Sequence, residues 1–314
     1  MSDGRFAFID IGTNTILCLI ADLMEDHSFR VVDDLAEITR LGRGVDRTGR
    51  IGAEGEQRSL EVLRHYLERC RSLNVEGVMA VGTSALRDAQ NSAEVQARFQ
   101  TELGLAVRVI SGEEEAAYSF LAVRSGLDLS GRELLVIDIG GGSTEFIRGN
   151  DAGVLQAVSL NLGSVRLTEQ FLHSDPVRSE QCEKMIRVID QELAGLVDQW
   201  PTDNSALTLV GIAGTFTTLA AVEKKLLRYS HSEVHGSALT VGEVRRQVEL
   251  FRSRTIAARK AIAGLEPKRA DVILAGACLI ERTMTLIHAE QVVVSDQGVR
   301  YGMLNERLRQ RKNC

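Results

Sequence analysis

The chain has 314 residues, of which 44% are hydrophobic and 25% charged, with 37 basic residues against 43 acidic ones and a net charge of −6. This length and composition describe a folded chain of one large or two ordinary domains and exclude global disorder. Aromatics at 4% exclude a stacking platform for single-stranded nucleic acid, and the acidic balance argues against any nucleic-acid partner while leaving room for a local basic surface facing a polyanion.

Strands are predicted over 5–11, 16–23 and 29–38, followed by a helix over 54–73 with Leu60, Leu63, Leu67 and Cys70 on one stripe. A strand over 75–81, a helix over 92–103, a strand over 106–110 and a helix over 112–125 come next. Residues 126–132, with Gly126, Ser130 and Gly131, read as a linker. Beyond it the pattern predicts strands over 133–139, 144–149 and 154–161, helices over 164–173 and 177–198, and a strand over 207–213. Helices over 216–228, 241–253, 255–263 and 268–288 follow, then a strand over 291–296 and a helix over 299–311. Thr240 with Glu243 marks a capping box for the 241–253 helix. The class is α/β.

No apolar run approaches the ~20 residues that span a bilayer, so no membrane partner is expected. The start, MSDGRFAFIDIG, lacks the regions of a signal peptide. Cys18, Cys70, Cys182, Cys278 and Cys314 are odd in number and form no CxxC pair. That supports neither a disulfide framework nor a zinc ribbon, and a cytoplasmic location is expected.

The sequence echoes itself. Ile9-Asp10-Ile11-Gly12-Thr13-Asn14-Thr15 resembles Ile137-Asp138-Ile139-Gly140-Gly141-Gly142-Ser143-Thr144. Each follows a short apolar run and precedes another, as strand, tight turn, strand. Gly82-Thr83-Ser84 lies 72 residues after Asp10, and Gly214-Thr215 begins 76 residues after Asp138. Two matched pairs at matched spacing imply duplicated halves, expected over 1–125 and 126–298, with the helix of 299–314 packing back on the first.

Glycine turns present backbone N–H groups to phosphate, and Ser or Thr hydroxyls add to them. The run from Gly140 to Thr144 is rich in such donors, and the run from Gly12 to Thr15 is a poorer version. Gly82-Thr83-Ser84 and Gly214-Thr215 sit where helix N-termini add a favourable dipole. Neither GxxxxGK[ST] nor GxGxxG occurs, so a P-loop or a dinucleotide Rossmann reading lacks its fingerprint. Asp10 and Asp138, at strand ends beside these turns, with Glu145 nearby, are candidates for holding Mg²⁺ or a water. For a single Asp, turn capping competes about evenly with that role. Ser111 and Glu114 match a capping box; Glu115, one position further round the helix, is left over as an acid able to orient water.

The strings IDIGTNT, GTSALRDAQN, ISGEEEAAYSF, VIDIGGGSTEF and VSDQGVRYGML resemble, in this order, the Ppx/GppA phosphatase family, whose members are exopolyphosphatases and guanosine pentaphosphate phosphohydrolases. The resemblance runs from about residue 6 to 305. It implies two ribonuclease-H-like domains of the actin, sugar-kinase and heat-shock-chaperone superfamily, with the active site in the cleft between them. It implies Glu115 as the catalytic acid–base group and Asp138 and Glu145 as ligands of Mg²⁺ or another divalent cation. Phosphate binding falls on Asp10, Gly12, Thr13, Asn14, Arg87, Gly140, Gly141, Gly142, Ser143, Thr144, Gly214 and Thr215. The implied substrates are inorganic polyphosphate, guanosine pentaphosphate or another nucleotide, and a homodimer is expected. The chain contains no His-Asp dipeptide, so it resembles the short, two-domain members rather than those with an HD-type region. Lys268, Arg269, Arg166 and Arg300 are candidates for local positive charge, although for each one taken singly a solvated surface charge is the favoured reading. Two rivals remain: a kinase of the same superfamily with a nucleotide lined by residues 271–279, where a buried small-residue helix contact is the other reading, and a non-catalytic sensor of the guanosine alarmone.

Overall fold

The computed structural model describes residues 2–197 and 207–312. Asp198, at the end of the helix predicted over 177–198, and Cys314 lie outside the described residues. The first elements are β1 (Ser2–Ile11), β2 (Thr15–Met24), β3 (Phe29–Ile38), α1 (Val45–Thr48), α2 (Ala53–Ser72), β4 (Gly77–Gly82), α3 (Ser84–Asp88), α4 (Ser92–Leu103), β5 (Val107–Val109) and α5 (Gly112–Gly126). There follow β6 (Glu133–Ile139), β7 (Thr144–Asn150), β8 (Gly153–Leu160), α6 (Ser164–Phe171), α7 (Ser179–Val197), β9 (Leu207–Ile212), α8 (Ala213–Glu223), α9 (His231–Val234), β10 (Ala238–Thr240), α10 (Val241–Arg252), α11 (Ile256–Arg259), α12 (Ile273–Leu286), β11 (Gln291–Val294) and α13 (Val299–Lys312). The chain forms two compact units, Met1–Ala122 with Val299–Cys314, and Val123–Gly298.

The duplication is visible in the sheets. In the first unit the strand order is β3-β2-β1-β4-β5, with β1, β2 and β3 antiparallel and β4 and β5 parallel to β1. In the second unit β8-β7-β6-β9-β11 repeats that order and those directions, with β10 added at the edge. This is the ribonuclease-H-like arrangement, present twice.

Strand alternation divides the side chains between two faces. In β1, Ala7, Ile9 and Ile11 join one core with Leu60, Leu63 and Phe99 of the helical layer α2 and α4. Phe8 points the other way, into a second core with Ala122 of α5 and Val299, Leu304 and Leu308 of α13. In the second unit Leu135, Ile137 and Ile139 of β6 pack on α7, α8, α10 and α12. Asp10 and Asp138, each one residue before the end of its strand, therefore face away from the larger core. The helix α13 is pinned by Arg300, which donates from Nε and Nη2 to Asp34 of β3 at 2.9 and 3.0 Å, while the Tyr301 hydroxyl donates to the same carboxylate at 3.0 Å. The four described cysteines are free thiols buried in these cores.

Three helices differ from the sequence pattern. The helix predicted over 216–228 begins at Ala213 and ends at Glu223, because Lys225 adopts φ 53°, a left-handed conformation. The region predicted as helix over 255–263 keeps only α11. The one predicted over 268–288 becomes a 3₁₀ turn at Pro267–Arg269 followed by α12. Gly264, between the two, has φ +88° and lies so close to α8 that a Cβ would sit 2.2 Å from the Ala221 carbonyl oxygen. The buried guanidinium of Arg259 holds the resulting loop by donating to the carbonyls of Phe251 and Ala270, at 2.7 and 3.1 Å. The short β10, α1, α3 and α9 carry too few residues for a periodic signal.

A polar cluster closes one edge of the second unit. The Asp296 carboxylate accepts from Tyr229 at 3.0 Å and lies 2.6 Å from His231 Nδ1 and 3.2 Å from His235 Nδ1. The other ring nitrogen of His235, Nε2, lies 3.0 Å from the Gly126 carbonyl at the end of α5. With acceptors on both sides the imidazole is favoured in its protonated form. The Asp296 hydrogen bond, and then the Gly126 carbonyl, hold its pKa above the usual value against the opposing effect of burial. Burial pushes the Asp296 carboxyl up, but the hydrogen bonds and charges of His235 and His231 outweigh it and leave it below the usual range. Because the folded-state pKa of His235 is raised, its stabilisation is complete below about pH 6.5, the unfolded value, and is lost as pH rises through the folded value. The melting temperature of His235→Gln should thus lie furthest below wild type in mild acid and converge on it in alkali. A pH-independent difference would remove this pair from the stability balance.

Candidate active site

The first turn joins β1 to β2. The Gly12 amide donates to the Thr15 carbonyl at 3.1 Å. The Thr13 carbonyl accepts from Gly42, and the Asn14 carbonyl from Thr39 and Arg40, at 2.9 to 3.0 Å. Gly42 approaches so closely that a Cβ would stand 2.4 Å from Thr13 Cγ2. Thr13 and Asn14 are both buried, and Asn14 Nδ2 has no hydrogen-bond partner among the described residues. Asp10 sits just before this turn, in register with Leu17 and Val81.

The second turn repeats the first with more glycine. The Gly140 amide donates to the Ser143 carbonyl at 3.0 Å, matching Gly12 and Thr15. Its carbonyls are taken up by the start of α6. Gly140 accepts from the Ser164 amide at 3.0 Å, Gly141 from the amides of Val165 and Arg166 at 2.9 and 3.1 Å, and Gly142 from Arg166 Nε at 2.8 Å. The amides of Gly141, Gly142 and Ser143 take no part in these bonds. Gly163 is the contact that allows this. It packs on the Gly141–Gly142 peptide so closely that a Cβ would lie 2.2 Å from the Gly141 oxygen and 2.5 Å from the Gly142 nitrogen. Thr144 is fully buried and its hydroxyl donates to the Leu162 carbonyl at 2.5 Å, so it anchors the turn from behind.

Two carboxylates flank this turn. Asp138 and Glu145 are directly opposite in the β6–β7 ladder, so both side chains project from one face of the sheet. They are 7% and 1% exposed. Oxygen donors on two carboxylates suit a hard cation such as Mg²⁺, which takes one or two protein carboxylates and fills its remaining positions with water and substrate phosphate. Among the described residues no group of three or more His, Cys, Asp or Glu forms a protein-only metal cage.

Glu114 and Glu115 are separated by the start of α5. The Glu114 side chain accepts from the Ser111 amide at 3.0 Å, and its own amide donates to Ser111 Oγ at 3.1 Å, closing the capping box. It also pairs with Arg108. The Ser111 amide, and then Arg108, hold its pKa below the usual range. Glu115 turns inward, is 8% exposed, and accepts from Arg87 Nη1 at 3.0 Å. The same Arg87 nitrogen donates to the Ile110 carbonyl at 3.1 Å. Arg87 thus fixes Glu115, a partnership that neither residue's neighbours in sequence announce.

Gly214 and Thr215 lie in the first turn of α8, which Ala213 enters at φ 69°. The Arg269 guanidinium occupies the space beside Gly214, where a Cβ would meet its Nη2 at 2.2 Å. Burial lowers the Arg269 pKa. Thr215 packs against Gly276 of α12. Leu274, Ala275 and Ala277 are fully buried in the same core, so this part of residues 271–279 is a helix contact rather than a nucleotide wall. Of the other cations named from sequence, Arg166 serves the glycine turn and Arg300 holds Asp34, while Lys268 is exposed.

The model of the Ppx/GppA phosphatase family matches residues 19–311. The chain belongs to the Ppx/GppA phosphatase family. It is 34% identical over 311 residues to Exopolyphosphatase 2 of Mycobacterium tuberculosis, covering 95% of this chain and 97% of that protein. It is 32% identical over 308 residues to the bifunctional 3-dehydroquinate synthase/phosphatase of Fusobacterium nucleatum, covering 96% of this chain but only 46% of that longer protein. A solved family member from Aquifex aeolicus is 35% identical, with a TM-score of 0.82 and 98% of each chain covered.

Gly163→Ala should leave a folded protein with a displaced second turn, because the added methyl has only peptide backbone to push against. A shift of the order of 1 Å at the substrate-holding groups costs roughly 10²-fold in rate. Phosphate-release kinetics with a melting curve as control measure this. Wild-type turnover in Gly163→Ala would show that the turn does not hold the reacting phosphate.

Proposed function

We propose that this protein hydrolyses the terminal phosphoanhydride bond of inorganic polyphosphate or of guanosine pentaphosphate, releasing orthophosphate, with a divalent cation held by Asp138 and Glu145. The observation that carries the reading is the second glycine turn: its carbonyls are committed to α6, and the two strands that it joins carry a facing pair of buried carboxylates. Amides of Gly141, Gly142 and Ser143 are assigned to the phosphate oxygens, with Asp10, Gly12, Thr13 and Asn14 of the first turn, and Gly214 and Thr215 at α8, as further phosphate-binding groups. The names of the relatives agree with this chemistry.

Phosphoryl transfer is catalysed mostly by positioning and charge neutralisation. A bound Mg²⁺ supplies charge neutralisation at the phosphate oxygens. Glu115 is assigned to orient the attacking water and accept its proton. The water oxygen forms the new P–O bond, the bridging P–O bond to the next phosphate breaks, and its electron pair leaves with the shortened chain. The polyphosphate leaving group needs little protonation near neutral pH. Arg87 keeps the Glu115 carboxylate in one orientation, and its remaining guanidinium donors suit a phosphate oxygen.

Glu115→Gln should lower turnover by roughly 10²–10⁴-fold, the range of general acid–base catalysis, with affinity for substrate unchanged or tighter. Glu114→Gln should cost little, since glutamine also closes a capping box. Steady-state phosphate release by both variants decides the assignment: an inactive Glu114→Gln beside an active Glu115→Gln would reverse it.

Wild-type protein should release phosphate from long polyphosphate or guanosine pentaphosphate with no acceptor present, stop on addition of EDTA and recover with Mg²⁺. Parallel assays on long polyphosphate, short polyphosphate and guanosine pentaphosphate rank the substrates. Turnover under full chelation would exclude the cation role, and ligand binding without any turnover would favour the alarmone sensor.

A further inference from the structure

The two units share a backbone plan, so the places where their side chains differ show what each has been given to do. Consider the line of residues that runs across the first three strands at the level of the conserved plan's first aspartate. In the second unit Asp138 faces Glu145, and Glu145 faces Ser159 of β8, all in register. In the first unit the same line reads Asp10, Leu17 and Ala36. Only the second unit adds a carboxylate and a hydroxyl to its aspartate.

Ser159 Oγ donates to Glu145 Oε1 at 2.8 Å. Glu145 is 1% exposed, and a carboxylate so deeply buried needs hydrogen-bond donors to remain ionised. The choice of donor matters. A lysine or arginine on β8 would satisfy the carboxylate and also cancel its charge. A serine hydroxyl donates to one oxygen, Oε1, and brings no charge of its own.

We propose that Ser159 is a positioning residue: through its 2.8 Å hydrogen bond it fixes the Glu145 carboxylate beside Asp138 without neutralising it, and so sets the affinity of the second unit for a divalent cation. This rests on the reading that Asp138 and Glu145 hold that cation. Groups that orient a metal ligand in this way typically change metal affinity by about 10–100-fold when removed.

The test is Mn²⁺ binding to the full chain in the absence of substrate, followed by electron paramagnetic resonance, with phosphate release titrated against Mg²⁺ in parallel. Ser159→Ala should raise the Mn²⁺ dissociation constant by about tenfold or more and raise the Mg²⁺ concentration for half-maximal activity in step, with a smaller change in turnover at saturating Mg²⁺. Ser159→Thr, which keeps the hydroxyl, should bind Mn²⁺ within about twofold of wild type. Ser159 is exposed, so both variants should fold, and melting curves check this. Glu145→Gln is the control for the premise. If Glu145→Gln loses Mn²⁺ but Ser159→Ala binds it as wild type does, the role of Ser159 falls and the cation site stands. If Ser159→Thr is as weak as Ser159→Ala, the hydroxyl is not the cause and the proposal falls. If Glu145→Gln binds Mn²⁺ normally, the cation site itself is wrong and the proposal falls with it.

Discussion

A turn whose carbonyls are held by neighbouring donors keeps its amides turned to one side, where an anion can meet them. In the second unit that condition is met by the start of α6, whose amides and Arg166 side chain take the carbonyls of Gly140, Gly141 and Gly142. The arrangement leaves no room for a side chain at residue 163, where backbone lies against backbone. The glycines of the turn therefore act together with a glycine outside it. The neighbouring acids, Asp138 and Glu145, gain their positions from the same two strands that the turn connects. Helix, turn and carboxylates are joined through continuous backbone and hydrogen bonds.

The first unit meets the same condition differently. Its turn is held by the loop from Thr39 to Gly42, whose backbone amides donate to the carbonyls of Thr13 and Asn14. Along the register line of Asp10, Leu17 and Ala36 this unit carries one acid, where the matching line of the second unit carries two. Its contribution lies in α5, where Arg87 draws Glu115 inward while Ser111 and Arg108 hold Glu114 outside. Duplication supplied two equal frames; side-chain divergence gave them unequal equipment.

Much of this was legible in the sequence. The strands around the glycine turns follow from short apolar runs ended by glycine, and the strand predicted over 29–38 has those same ends in the structure. The separation of Glu114 from Glu115 follows from capping-box logic, because Ser111 can accept only one partner three residues on. What was hidden depends on long-range register. Nothing local to Ser159 says that it will face Glu145, fourteen residues earlier and one strand away. Nothing local to Arg87 points to a carboxylate 28 residues later. The close approach of Gly264 to α8 is likewise a property of packing that no local pattern announces.

The position of α13 bears on how the chain is assembled. The second unit is a single continuous stretch, but the first is completed by residues from the far end of the sequence, tied down through Arg300 and Asp34. Until those residues arrive, Phe8, Leu19 and Leu23 lack the cover that Val299, Leu304 and Leu308 supply. During synthesis the first unit must wait with one side of its sheet incomplete while the whole of the second emerges. The half that is made first is thus finished last, and its folding is contingent on the chain being read through to α13.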